Sequence, residues 1–161
     1  MPKNNKTVME AASDYLASRM RTVVEVRKHL TEKGYEQDEI DEAINDLIGL
    51  RYLDDYEYAM RYYEYNTEKH RGGLRAMREL EDRGVDKTTI RYAYEDYVYQ
   101  NKIDELKMAR EIARNVAGDN YPVDDKLVAK VARKLENKGF KKEDIFKVMS
   151  DMRRWDNSEY N

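Results

Sequence analysis

One phrase is written three times in this chain: "LTEKGYEQDEI" at 30–40, "LEDRGVDKTTI" at 80–90 and "LENKGFKKEDI" at 135–145. Each copy runs Leu, a Gly four residues on, an apolar residue next (Tyr35, Val85, Phe140), and an Ile five further (Ile40, Ile90, Ile145). The copies lie 50 and 55 residues apart, a period at which stacked supersecondary units repeat. Gly after an apolar-periodic stretch ends a helix, because it takes a positive φ without steric cost. Lys33, Arg83 and Lys138 each precede that Gly, where a cation suits the negative end of a helix. The phrase therefore reads as a helix stop and a helix start, with Leu and Ile burying the pair.

The flanking sequence supplies a third helix to each copy. Thr22 and Glu25 have capping-box spacing at the start of a helix from Val23 to Lys33. Beyond it, Ile40, Ala43, Ile44, Leu47 and Ile48 mark an amphipathic helix, and upstream Val8, Ala11, Ala12, Tyr15 and Leu16 mark another. In the second copy "LDDYEYAMRYYEYN", capped by Asp54 or Asp55, is broken by "RGG" at 71–73. "LRAMRELEDR" then leads to a helix with Ile90, Ala93, Tyr94 and Tyr97. The third has helices over 102–117, up to Lys138, and over 142–154 with Ile145, Val148, Met149 and Met152 on one face. No stretch alternates as a strand does. The expected fold is all-α: three tandem three-helix repeats over 1–50, 51–100 and 101–155, forming an elongated, curved molecule, with a short tail at 156–161.

Composition agrees, with 39% charged residues, 7 Gly and only 2 Pro. The absence of Cys removes disulfides, thiolate metal sites and thiol nucleophiles. "MPKNNKTVMEAASDYLASRM" lacks the apolar core of a signal peptide, and no run has membrane-spanning length, so a cytoplasmic, soluble protein is expected. Catalysis finds no support. Asp54-Asp55-Tyr56-Glu57 reads as capping, and His29 and His70 have no His partner at i+3 or i+4. "GDNYPVDD" lacks the Gly and closing Glu of a calcium loop, and "RGGLRAMRE" lacks the end of a phosphate loop. No catalytic residue, metal or cofactor is expected.

Superposing the three middle helices on their Leu gives the clearest functional signal. Nine, five and two residues before it stand Arg71, Arg75 and Arg78; Lys126, Lys130 and Arg133; and Arg21, Glu25 and Lys28. These positions cluster on the face opposite the Leu. Windows 69–78 and 126–135 contain no acidic residue. Two readings fit: a solvated helix face, or a surface for something anionic, whether phosphates or an acidic protein face. A second stripe, Tyr58, Tyr62 and Tyr65 with Tyr56 and Tyr63 alongside, fits either core or a stacking surface. Trp155 is read as packing on the last repeat.

"YLDDYEYA", a basic-Gly break and "RELEDRGV" resemble the central motif of the RecX regulatory proteins. "RTVVEVRKHLTEKGY" and "KLENKGFKKEDI" are similar to that family in order and spacing, so the resemblance covers roughly residues 8–152. Three positions depart: Tyr58 stands for the usual Phe, Gly73 for a Pro that often starts the middle helix, and Ala76 for a larger aliphatic. The resemblance implies a monomeric non-enzyme that binds the RecA recombinase filament, meets single-stranded DNA through it, and lowers its assembly, ATP hydrolysis and recombination. On that reading Arg21, Lys28, Arg71, Arg75, Arg78, Lys126, Lys130 and Arg133 dock the partner electrostatically. Two rivals are a direct helix-turn-helix-like nucleic-acid module and a helical scaffold for other proteins. The mixed or acidic starts of the third helices ("EQDEI", "DKTTI", "KKEDI") speak against the first.

Overall fold

The computed structural model describes residues 5–120 and 122–155. The expected tail at 156–161 lies outside the described residues. Nine helices and no strand occur among them: α1 (Val8–Ala17), α2 (Val23–Glu32), α3 (Gln37–Gly49), α4 (Asp55–Glu68), α5 (Gly73–Asp82), α6 (Lys87–Asn101), α7 (Glu105–Ala117), α8 (Asp125–Asn137) and α9 (Lys142–Met152). The order is that of three three-helix repeats. The seventh helix starts later than its periodicity suggests. Lys102 takes φ +50, and Asp104 caps α7 by accepting from the Lys107 amide at 3.0 Å.

The repeated phrase folds the same way each time. Tyr35, Val85 and Phe140 donate their amides back to Leu30, Leu80 and Leu135, and Gly34, Gly84 and Gly139 donate to residues three earlier. With φ of +91, +88 and +89 at the glycines, these are three Schellman turns. Leu30, Leu80, Leu135, Tyr35, Val85 and Phe140 are all buried, as are the three Ile residues. Truncating any of these Leu side chains to Ala costs about 2–5 kcal/mol.

The chain divides into two compact units, one comprising residues up to Tyr62 with Glu79–Tyr94, the other Tyr63–Arg78 with residues from Glu95 on. In the first unit α1–α3 close over Ala12, Val26, Leu30, Ile40, Ile44 and Leu47. The N-terminus of α2 is enclosed by the C-terminal turn of α5. Thr22 and Glu25 form the expected capping box, and the Thr22 hydroxyl also donates to the Arg83 carbonyl at 2.7 Å. The first helical amide, Val23, donates to the Asp55 carboxylate at 3.0 Å. Asp54, not Asp55, caps α4, accepting from the Glu57 amide at 3.1 Å.

Burial, opposed by the Val23 hydrogen bond and helped by Asp86, Asp54 and Glu25 nearby, pushes the Asp55 carboxyl above its ordinary 3.8. A carboxyl raised in the folded state contributes its stability below its unfolded value and loses it as pH rises through the folded one. Asp55→Asn keeps an acceptor oxygen but cannot ionise. Its stability relative to the unsubstituted chain should therefore climb from pH 3.8 upward and level off once Asp55 is ionised. Denaturant melts across that range check this; a constant difference would contradict it.

In the second unit α7–α9 bury Ile112, Val128, Val131, Phe140, Ile145, Val148 and Met152, with Trp155 packed among them and the Arg114 guanidinium 4.7 Å above its ring. Here the N-terminus of α5 is enclosed by the C-terminal turn of α8. Gly72 donates to the Lys138 carbonyl at 2.9 Å and Leu74 to the Gly139 carbonyl at 3.1 Å. The Gly73 amide donates to Glu105 at 2.7 Å. That bond gives a physical reason for Gly where Pro often stands, since Pro has no amide hydrogen to donate. Buried Asn66 closes the same turn, donating to the carbonyls of Arg71 and Gly72. The third middle helix caps itself: Asp124 accepts from the Leu127 amide at 2.8 Å, one turn earlier than in α2 or α5.

Candidate partner-binding surface

The predicted basic residues separate into three environments. Along α8, Lys126, Lys130 and Arg133 are all exposed, at positions i, i+4 and i+7 of one face. With Asn120, Pro122, Asp124 and Leu127 they line an open groove of about 340 Å³. None of the three forms an ion pair among the described residues, although the chain carries 33 Asp and Glu. Long cations without partners around an apolar floor suit an anionic ligand whose charge replaces the water they hold.

Of the predicted cations on and just before α5, only Arg78 is fully exposed. Arg71 and Arg75 share its outward face by spacing, yet both are half-buried, because the C-terminal turn of α8 docks where they emerge. Arg71 lies 5.8 Å over the exposed Tyr65 ring, and Arg75 reaches the Asn137 carbonyl at 3.4 Å. Beside them the structure places Lys134 and Lys138, which the sequence stripe did not include. Their signal was present: Lys138 precedes the Gly of the repeated phrase and Lys134 lies one turn before it. Both read there as ordinary cations of a helix end.

In the first unit Lys28 is exposed and Arg21 is half-buried. The Arg21 guanidinium sits 4.0 Å over Tyr15, and Tyr15 stacks flat on His29 with centroids 3.8 Å apart. The buried Nε of Arg21 has no partner among the described residues. Burial, then Lys33 beside it, pushes the His29 imidazolium below its ordinary pKa of 6.5. Arg21 is thus held by an aromatic stack, whereas Lys28 projects freely.

The tyrosine stripe divides as well. Tyr58 and Tyr63 are buried, Tyr62 is half-buried and Tyr65 is exposed. Arg83 donates to the Tyr58 hydroxyl at 2.7 Å and lies 5.1 Å over Tyr62, whose hydroxyl donates to Glu79. Burial, with Glu79 adding to it, raises the Tyr62 hydroxyl to about 12. The hydroxyl that distinguishes Tyr58 from Phe is what receives Arg83. Most of this stripe is packing, and Tyr65 is its accessible part.

A model of the RecX family, described as its first three-helix domain, matches residues 9–47, the span of α1 to most of α3. The regulatory protein RecX of Yersinia pseudotuberculosis is 33% identical over 112 residues, covering 70% of this chain and 59% of that protein. That of Halalkalibacterium halodurans is 28% identical over 144 residues, covering 88% of this chain and 53% of that protein. A crystal structure of RecX from Lactobacillus salivarius superposes with a TM-score of 0.76 over 90% of this chain and 94% of that one, at 24% identity.

The chain belongs to the RecX family. It spans only about half to three fifths of the length of these two curated RecX proteins. The RecX domain model ends before α4, so it contains Arg21 and Lys28 but none of the basic residues of α5 and α8. The likeness to the solved RecX structure concerns fold, and it extends over the helices that carry those residues. No described helix is long and apolar enough to cross a membrane.

Proposed function

We propose that this chain is a regulatory protein that binds the RecA recombinase filament on single-stranded DNA and limits its assembly, ATP hydrolysis and strand exchange. It acts in the cytoplasm by binding and not by chemistry. Membership of the RecX family supports the class of role. The observation that carries the contact surface is the α8 face, where Lys126, Lys130 and Arg133 surround an open groove without ion-pair partners among the described residues, the acid at its rim, Asp124, being engaged as the α8 cap. Arg78 and Lys28 are exposed cations of the same kind. Arg71, Arg75 and Arg21 contribute from half-buried positions.

The test is single-stranded-DNA-dependent ATP hydrolysis by the cognate recombinase with this protein titrated in. Hydrolysis should fall at substoichiometric ratios, because limiting filament growth silences many subunits per bound regulator. An unchanged rate across a large excess would overturn the reading. Tight duplex binding without recombinase would instead favour a direct nucleic-acid module.

A further inference from the structure

The basic groove along α8 has an acidic counterpart in the first unit. Glu39, Glu42 and Asp46 stand on α3, a helix with no Lys or Arg. With Val8, Met9 and Tyr35 they line a groove of about 500 Å³. All three are exposed, and none forms an ion pair among the described residues. Each groove is lined by one side chain of the opposite sign, and each of those is engaged already. Lys6 pairs with Asp14 at the α3 groove, and Asp124 caps α8 at the other. Two uncompensated stripes of opposite charge therefore lie on helices of equal length, 13 residues each.

Their spacings match in one orientation only. The cations step by four residues and then three, from Lys126 to Lys130 to Arg133. The acids step by three and then four, from Glu39 to Glu42 to Asp46. Read backwards, the acids step by four and then three. At about 1.5 Å of rise per residue, both stripes then carry charge at about 0, 6 and 10.5 Å along the helix. An antiparallel contact faces Lys126 with Asp46, Lys130 with Glu42 and Arg133 with Glu39. A parallel contact misses the central pair by one residue, a rotation of about 100°. Half-buried Leu127 in one groove and Met9 in the other add apolar surface beside the charges.

We propose that the α8 face docks the α3 face of a second copy of this chain, antiparallel and in that register. Complementary charge fixes partner and register, and a net charge of only -3 sets up little general repulsion between copies. The two faces differ, so the contact is heterologous: each joined pair leaves one face of each sign free for further copies. Exposed ion pairs are individually weak, so the association is reversible and is lost as salt rises. It departs from the monomer that the family resemblance implies. It also occupies the cations of the proposed recombinase contact, so a self-associated copy withholds that face from other partners. The pairing itself does not rest on the recombinase reading.

The experiment is sedimentation velocity of the full chain alone, at low salt and rising concentration. The mean mass should climb above that of one chain and return to it when salt is raised. K126E/K130E/R133E and E39K/E42K/D46K should each stay at the mass of one chain, since each has two faces of one sign. Mixed in equal amounts they should associate again, because every face then meets its opposite. E39Q/E42Q/D46N places no cation in the first turn of α3; it should associate at least tenfold more weakly and melt with the unsubstituted chain. The chain has no Cys, so oxidation of single-cysteine variants reports the register: D46C should form a mixed disulfide with K126C and not with R133C. The proposal is overturned by the mass of one chain at every concentration, or by self-association that survives either reversal. It is equally overturned by folded reversed variants that ignore each other when mixed, or by trapping of D46C with R133C. No recombinase is present, so this outcome is read separately from the ATP-hydrolysis titration.

Discussion

Replacing Gly139 by alanine is expected to destabilise the chain by about 3 kcal/mol, the sum of a left-handed backbone and overpacking. Gly139 has φ +89, and an added Cβ would stand 2.4 Å from both the Cβ and the backbone nitrogen of Arg75. Neither atom can move without shifting α5. For a chain of this length the melting temperature should fall by roughly 10 °C. Gly84→Ala has the same φ cost, but its clash is with the Val24 side chain, 2.4 Å away. Val24→Ala keeps the Cβ at 2.4 Å but removes the two methyls at 2.6 and 2.7 Å and leaves no side chain beyond Cβ to hold it in place, so it should recover part of the loss in a Gly84→Ala/Val24→Ala double variant. Arg75→Ala keeps its Cβ and should recover none in Gly139→Ala. Paired thermal melts check both; equal rescue at the two sites would contradict the assignment of the obstacle to backbone in one and side chain in the other.

Reversing the α8 face, K126E/K130E/R133E, should abolish most of the recombinase inhibition, weakening the apparent affinity by at least about tenfold, since each reversal replaces attraction by repulsion. Stability should hardly change. All three side chains are exposed, and a carboxylate at 126 lies in the first turn of α8, where it suits the helix dipole. The unsubstituted chain should lose inhibition as salt is raised, and the variant should show a flatter dependence. Inhibition unchanged by the triple reversal would remove α8 as the docking face and leave Arg78 and Lys28 to be reversed in turn.

What could be read from the sequence was what is local. The Schellman turns were legible because the Leu, the Gly and the following apolar residue are all fixed within six residues, and only Gly takes that φ cheaply. The α2 capping box was legible for the same reason. What stayed hidden depends on partners far along the chain. Asp55 and Glu105 stand 25 residues beyond Leu30 and Leu80, and each accepts the first amide of the preceding middle helix. In sequence Asp55 is simply one of two acids at the start of its own helix. The half-burial of Arg71 and Arg75 escaped helical spacing because it is imposed by a turn more than sixty residues later. Spacing did place Lys126, Lys130 and Arg133, since nothing among the described residues covers that face of α8.

The two enclosed helix starts also make the repeats non-interchangeable. At the α2 joint the cap is Thr22, completely buried, and its hydroxyl makes the bond to the following turn. At the α5 joint the corresponding residue is Gly72, whose own amide makes the bond; any Cβ there would stand 2.4 Å from the Gly139 carbonyl oxygen. Each junction thus accepts one neighbour by a different key, a hydroxyl in one and bare backbone in the other. Sequence similarity suggests that modules of this kind could be duplicated or exchanged freely. Their joints dictate instead a fixed reading order along the chain, and a transplanted module would have to bring its successor's turn with it.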